Sequence, residues 1–170
     1  MVRYMRNAGC YIMLLSLLFG MCGCGYSVRQ DKDSEIAYEI ATQIATAIGE
    51  NDEVALESFF SPSFRQNMNK EDFDALACNY SFSIEKMEDW FINTSQSDTD
   101  GRYRITAGFY IVDSDKREYE IVFQYYVADK DDSKVGLSAI AFSSKDYFEK
   151  NDLSLPEDHV ILVPSNDDEY

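Results

Sequence analysis

From Ile36 onward apolar side chains return at helical intervals: Ile36, Ile40, Ile44 and Ile48 stand four apart, with Ala37, Ala41 and Ala45 beside them. That period places them on one face of an α-helix. Ser34 or Asp33 can cap its start, because a short polar side chain accepts from the orphan N–H groups of a first turn, and Gly49 can end it. Asn51 then suits the cap of a second, short helix through Val54, Leu56, Phe59 and Phe60, broken at Ser61-Pro62. A third helix is predicted after Asn69, with Glu71 and Asp72 in its first turn and Phe73, Leu76, Ala77 and Tyr80 at helical spacing.

Beyond Ser81 the period shortens to two. Tyr103, Ile105, Ala107, Phe109 and Ile111 alternate with more polar neighbours, as do Tyr119, Ile121, Phe123, Tyr125 and Val127, and the turn residues Asp113-Ser114-Asp115-Lys116 lie between them. This is the signature of a β-hairpin. A further strand is predicted over Val135 to Phe142, after the turn Asp129-Lys130-Asp131-Asp132, and another within Ile84 to Thr94, where Met87, Trp90 and Ile92 are the apolar members. Helices followed by an antiparallel meander form an α+β pattern, and no longer internal repeat interrupts it.

Composition adds limits. A chain of 170 residues that is 45% hydrophobic and 14% aromatic supplies one sizeable core. Its formal net charge of -16 repels phosphate backbones, so nucleic acid is excluded as an expected partner. The basic residues Arg3 and Arg6 precede the uncharged run Tyr11 to Met21, which is shorter than the ~20 residues of a spanning helix and reads as a secretory signal. Small residues follow. Gly23 before Cys24 resembles a lipobox, the lipoprotein signal in which a small residue precedes the modified cysteine, whereas the competing Cys22 follows the bulky Met21.

The expected organisation is therefore a signal peptide over 1–23, a lipidated Cys24 with a tether to residue 34, an α+β domain over 35–165, and an acidic tail over 166–170. Two acyl chains, at ~0.8 kcal/mol per buried methylene, anchor stably where one is marginal. A flexible coil from Gly25 to Ser34 spans only ~17–19 Å, so the domain is expected close to the outer, extracytoplasmic face of the cell membrane. Past the lipid site the chain retains one cysteine, Cys78, which rules out an internal disulfide. Its apolar helical context, Phe73, Leu76 and Ala77, suggests a buried thiol. With His159 as the one histidine, a transition-metal site or a Cys-His pair is poorly supplied, and no cofactor is expected.

The stretch from Ile44 to Pro62, with its long helix, Gly49 and Asn51-Asp52 break and Phe59-Phe60 pair, resembles the entrance of nuclear-transport-factor-2-like domains. Phe123-Gln124-Tyr125-Tyr126-Val127-Ala128-Asp129 and Val135-Gly136-Leu137 look like a family of Clostridia-like Firmicute lipoproteins carrying such a domain. The resemblance implies N-terminal helices packed on a curved antiparallel sheet, a cystatin-like cone that often encloses an apolar pocket. Some relatives use an Asp and a Tyr there for proton transfer. Here the candidates are Tyr103, Tyr110, Tyr125 or Tyr126 with Asp113 or Asp89.

Other motifs weigh little. Asp98-Thr99-Asp100-Gly101 lacks the remaining ligands of a calcium loop, since Gln96 and Ala107 stand where acids are needed. Asp129 to Ser133 reads as a solvated hairpin turn. Asn79-Tyr80-Ser81 and Asn93-Thr94-Ser95 match the glycosylation sequon, a pattern with many chance matches. The leading functional expectation is a non-enzymatic, membrane-anchored module that binds a protein or a small hydrophobic ligand and has scope to form a homodimer. A small isomerase or lyase using an Asp-Tyr pair is the alternative. A cystatin-like inhibitor ranks last, because the Gln-x-Val-x-Gly loop is missing.

Overall fold

The computed structural model describes residues 32–151 and 160–163. Contacts divide the chain into Met1–Ile36, of which residues 32–36 are described and helical, and Ala37–Tyr170, which carries the whole sheet. The expected signal, Cys22, Cys24, His159 and the acidic tail lie outside the described residues.

Helix α1, residues 32–50, is already helical at the first described residue, so Asp33 and Ser34 sit within it and do not cap it. Ala37, Ala41, Ile44, Ala45 and Ile48 are fully buried, as their spacing predicts. Its end differs from the sequence expectation. Gly49 remains helical, and the left-handed residue is Asn51 (φ 55°). The N–H of Asn51 donates to the Ile48 carbonyl (3.2 Å) and that of Asp52 to the Ala47 carbonyl (2.9 Å). This pair of bonds is a Schellman closure, with asparagine tolerated where glycine is usual.

Asp52, and not Asn51, caps helix α2 (Glu53–Phe59), its Oδ1 accepting from the Ala55 N–H at 3.0 Å. Gly49 serves a different purpose: a Cβ there would stand 2.5 Å from the Phe82 carbonyl oxygen, and the Phe82 N–H donates to the Gly49 carbonyl at 3.1 Å. Gly49→Ala should therefore lose about 1–2 kcal/mol in urea unfolding, overpacking at the strand entry outweighing the better helix propensity of alanine.

A one-turn helix α3 (Pro62–Arg65), unforeseen from sequence, follows with Ser61 as cap and Pro62 in its first turn. Helix α4 (Lys70–Cys78) is capped by Asn69, whose Oδ1 accepts from the Glu71 N–H at 3.0 Å. The helices meet through aromatic rings, Phe60 lying 4.8 Å from Phe64 and 6.0 Å edge-on from Phe73. Cys78 corrects an expectation: it is exposed, its thiol donating to Glu53 Oε1 at 3.4 Å. The buried stripe of α4 runs through Phe73, Leu76 and Ala77, and one residue further turns about 100° away from it.

Strands β1 (Ile84–Ser97), β2 (Arg102–Asp113), β3 (Glu118–Ala128) and β4 (Gly136–Ser144) form an antiparallel meander. Helix α5 (Lys145–Asn151) and strand β5 (Val160–Leu162), neither anticipated, follow β4, and β5 joins the sheet parallel to it, giving the order β1-β2-β3-β4-β5. The sheet faces two ways. Ile105, Ala107, Phe109 and Ile111 of β2, Tyr119, Ile121 and Phe123 of β3, and Ile140 and Phe142 of β4 make one buried face. Phe109 and Phe123 lie parallel in it at 6.2 Å, and the edge of Tyr38 from α1 meets Phe109 at 5.9 Å.

On the opposite face Val122 and Ala141 pack with Phe148 of α5, and Phe91 leans on that cluster. This double coverage explains why eight of the nine β4 residues are buried. The register shifts between Ile84 and Lys86, Asp89 and Phe91, Tyr103 and Arg104, and Gln124 and Tyr125. Such irregularities bend and further twist the strands that carry them.

The meander also grips the helices at the start of β4. Phe60 bridges Leu137 in parallel, and the Ser61 N–H donates to the Leu137 carbonyl at 3.1 Å. Gly136 (φ 125°) makes that approach feasible, since a Cβ would stand 2.8 Å from both the Phe59 carbonyl oxygen and the Ser61 nitrogen.

Candidate binding cleft

A cleft of about 580 Å³ opens at the β2–β3 turn end of the sheet, with Tyr80, Lys116, Arg117, Glu118, Tyr119 and Lys145 on its walls. Three segments meet there: the chain leaving α4, the β2–β3 turn, and the passage from β4 into α5. Tyr80 and Tyr119 are the cleft's aromatic lining, with Phe82 and Phe142 packed behind them. Phe82 stacks on Tyr119 at 4.8 Å, Tyr119 on Phe142 at 5.7 Å, and Tyr80 stands edge-on to Phe142 at 4.7 Å.

The rim is held by Asp113, which is fully buried. Its Oδ1 accepts from the backbone N–H groups of Asp115 and Arg117, each at 2.9 Å, and its Oδ2 accepts from Arg117 Nε at 2.7 Å. Burial alone pushes this carboxyl up, but the N–H and guanidinium of Arg117 and the N–H of Asp115 outweigh it and hold the group below the usual aspartate range. Arg117 also donates from Nη2 to the Ser81 carbonyl at 3.1 Å, and its guanidinium lies 5.9 Å over the Tyr119 ring. The turn is thereby tied to the segment that follows α4. Lys116, left-handed at φ 68°, completes it and donates to Glu85 at 2.6 Å.

On the α5 side Lys145 donates to Glu118 at 2.7 Å and lies 5.4 Å over the Tyr110 ring. Hydrogen bonding to Glu118, followed by its charge, raises the lysine's proton affinity. Glu120, one strand position inward from the rim on the α5 face, is buried. Desolvation, then the Glu149 charge, pushes its carboxyl above the usual range, with Lys145 opposing. The cleft thus presents paired charges of both signs beside an aromatic lining, a surface suited to a polar, charged partner more than to an apolar ligand.

The sequence candidates fall apart spatially. Tyr103 and Asp113 stand at opposite ends of β2, and Tyr125 and Tyr126 pair with Ile105 and Arg104 toward the end remote from Asp113. Tyr110 is nearer Asp113, but it stands three strand positions before it, so the two project from opposite faces. Tyr110 is part-exposed and stacks on Trp90 at 6.0 Å. Asp89 is exposed opposite Phe109. Burial raises the Tyr125 phenol, and Tyr126 is buried beneath the Arg102 guanidinium at 5.6 Å.

The acidic motifs are turn architecture. Gly101 (φ 61°) closes the β1–β2 turn, where the Lys130 N–H donates to the Asp100 carbonyl at 3.1 Å and its ammonium to the Thr99 carbonyl. Asp129 accepts from the Asp131 N–H at 2.9 Å and from Arg102 Nε at 3.1 Å. Among the described residues no group of three or more His, Cys, Asp or Glu side chains is placed to hold a metal ion. Among the described residues no helix is long and apolar enough to cross a membrane.

Arg117, Glu118, Glu120 and Lys145 were not singled out by sequence reasoning. The four-residue spacing of Asp113 and Arg117 across a predicted hairpin turn was the available signal, since it lets the two side chains close on each other.

These features define an α+β domain whose leading helices cover one sheet face and whose α5 covers part of the other. The chain belongs to the family described as "Domain of unknown function (DUF5104)", which matches residues 43–147. The matched span runs from within α1 into α5, so it takes in the whole antiparallel meander and all three segments of the cleft. No curated protein matches the chain.

Proposed function

We propose that this chain is an extracytoplasmic lipoprotein, held at the outer face of the cell membrane by a diacylglyceryl group on Cys24, whose α+β domain binds a protein or polar ligand. The observation that carries the anchor is the uncharged run Tyr11 to Met21, preceded by Arg3 and Arg6 and followed by Gly23-Cys24. The bulged meander behind four leading helices supports a nuclear-transport-factor-2-like cone for the domain. The cleft at the β2–β3 turn supports the binding role, and its charged rim favours a polar partner.

The isomerase or lyase reading needs a carboxyl beside a tyrosine hydroxyl. Asp113 is instead engaged by Arg117 and two turn amides, and nothing in the placement of Asp89 favours that chemistry.

Fatty-acid labelling in the cells of origin tests the anchor. The unaltered chain and Cys22→Ala should take up label and fractionate with membranes, while Cys24→Ala should lose both. An unaltered chain that takes no label, or remains in the cytosol, defeats the proposal.

A further inference from the structure

Among the described residues, strand β1 lies at one edge of the sheet order and is the longest strand, Ile84–Ser97. Its two halves differ. The first carries Glu85, Lys86, Glu88 and Asp89, and both register shifts against β2 fall before Phe91. Charge, lysine and bulges are the devices by which natural sheets keep an edge from pairing with another chain. From Phe91 to Ser97 every one is missing: Phe-Ile-Asn-Thr-Ser-Gln-Ser has no charge, proline or glycine, and its pairing with β2 runs unbroken from Phe91↔Gly108 to Ser97↔Arg102. In a chain that is 27% charged, this is a continuous uncharged segment on an exposed edge, with Asn93 to Gln96 all exposed.

We infer that residues 91–97 form a strand-addition surface whose partner is the same segment of a second copy, paired antiparallel about a two-fold axis at Thr94. In that register Phe91 faces Ser97, Ile92 faces Gln96 and Asn93 faces Ser95, so all seven positions meet an uncharged residue. Moving the axis one residue earlier, to Asn93, instead brings the charged Asp89 into the paired span, opposite Ser97. A chain of net charge -16 opposes its own association everywhere that acids would meet, and this segment is where the opposition is absent. An isologous contact closes on itself, so assembly stops at the dimer. The inference does not depend on the lipid anchor.

The test uses the full chain in its cells of origin, in a Cys78→Ser background. Thr94→Cys places two thiols across the axis, where facing Cβ atoms lie within roughly disulfide reach. Mild oxidation should give about tenfold more covalent dimer than it does for Val54→Cys, a position 81% exposed on α2, because pairing raises the local thiol concentration. Comparison with Val54→Cys cancels links through cysteines elsewhere in the chain. Adding Asn93→Lys with Ser95→Lys should abolish the Thr94→Cys dimer, while Asn93→Lys with Ser95→Glu should retain it, since opposite charges then face each other across the axis. Equal dimer yields at 94 and 54, equal loss in both charge variants, or linkage of position 94 to a different protein would each overturn the inference.

Discussion

Gly136→Ala is expected to cost the domain about 3–5 kcal/mol, enough to remove much of the stability of a single domain of this size. Two costs coincide. At φ 125° the backbone occupies a region that side-chain-bearing residues rarely enter, and the added Cβ would stand 2.8 Å from two backbone atoms, the Phe59 oxygen and the Ser61 nitrogen. Neither neighbour is a flexible side chain, so relief requires moving the α2–α3 junction off Leu137. Gly101→Ala is the control, because its φ is also positive, at 61°, yet its nearest contact is the side-chain Cγ of Lys130 at 3.2 Å. Urea unfolding should show a much larger loss for Gly136→Ala. Equal losses would mean that backbone conformation alone, and not the contact with residues 59–61, makes glycine necessary at 136.

Asp113→Ala should cost about 2–3 kcal/mol near neutral pH, because three donors lose a charged, buried acceptor and the turn loses its tie to Arg117. The same residue shapes the acid limb of stability. Its folded pKa lies below the ordinary aspartate value of about 3.9, so its contribution is complete above that value and is lost as pH falls through the depressed folded value. Glu120 has the opposite sign. Its folded pKa lies above the ordinary glutamate value of about 4.3, so the stability it adds is complete below that value and disappears as pH rises through the raised folded one.

Stability followed by denaturation at stepped pH should therefore rise as Glu120 takes up its proton and then fall as Asp113 does. Glu120→Gln should remove the first feature and Asp113→Asn should weaken the second. A first limb that survives Glu120→Gln would assign the proton uptake to another carboxyl.

Periodicity revealed the parts of the fold that answer to burial. The stripe Ala37, Ala41, Ile44, Ala45 and Ile48 and the alternations Ile105 to Ile111 in β2 and Tyr119 to Phe123 in β3 each place consecutive inward residues on a common face, and the structure buries them, whereas Tyr103, Tyr125 and Val127, at the end where the register shifts, are only half-buried. Where local chemistry offered several equivalent solutions, the sequence was less informative. Gly49, Asn51 and Asp52 are all credible terminators or caps, and the choice among them is made by Phe82, whose carbonyl approaches so closely that only glycine fits at 49. The strand β5 is three residues long, too short to display a period, and its pairing partner is fixed only by the completed sheet.

The cleft was the least legible feature. Its walls come from residues 79–81, 116–119 and 144–146, which no motif links and which only the hairpin registers bring together. Asp113 shows the limit most clearly: its identity suggested proton chemistry, whereas its position two residues before Asp115 and four before Arg117 commits it to holding a turn.

The contact between Tyr38 and Phe109 bears on how the chain acquires its shape. A ribosome delivers α1 first, yet the strand its apolar side rests on emerges only after all the other leading helices and the whole of β1. Throughout that interval the nascent helix has an uncovered greasy flank, and native closure must wait for a distant partner. Chaperone protection during synthesis would matter most for this opening segment, long before the last strand arrives.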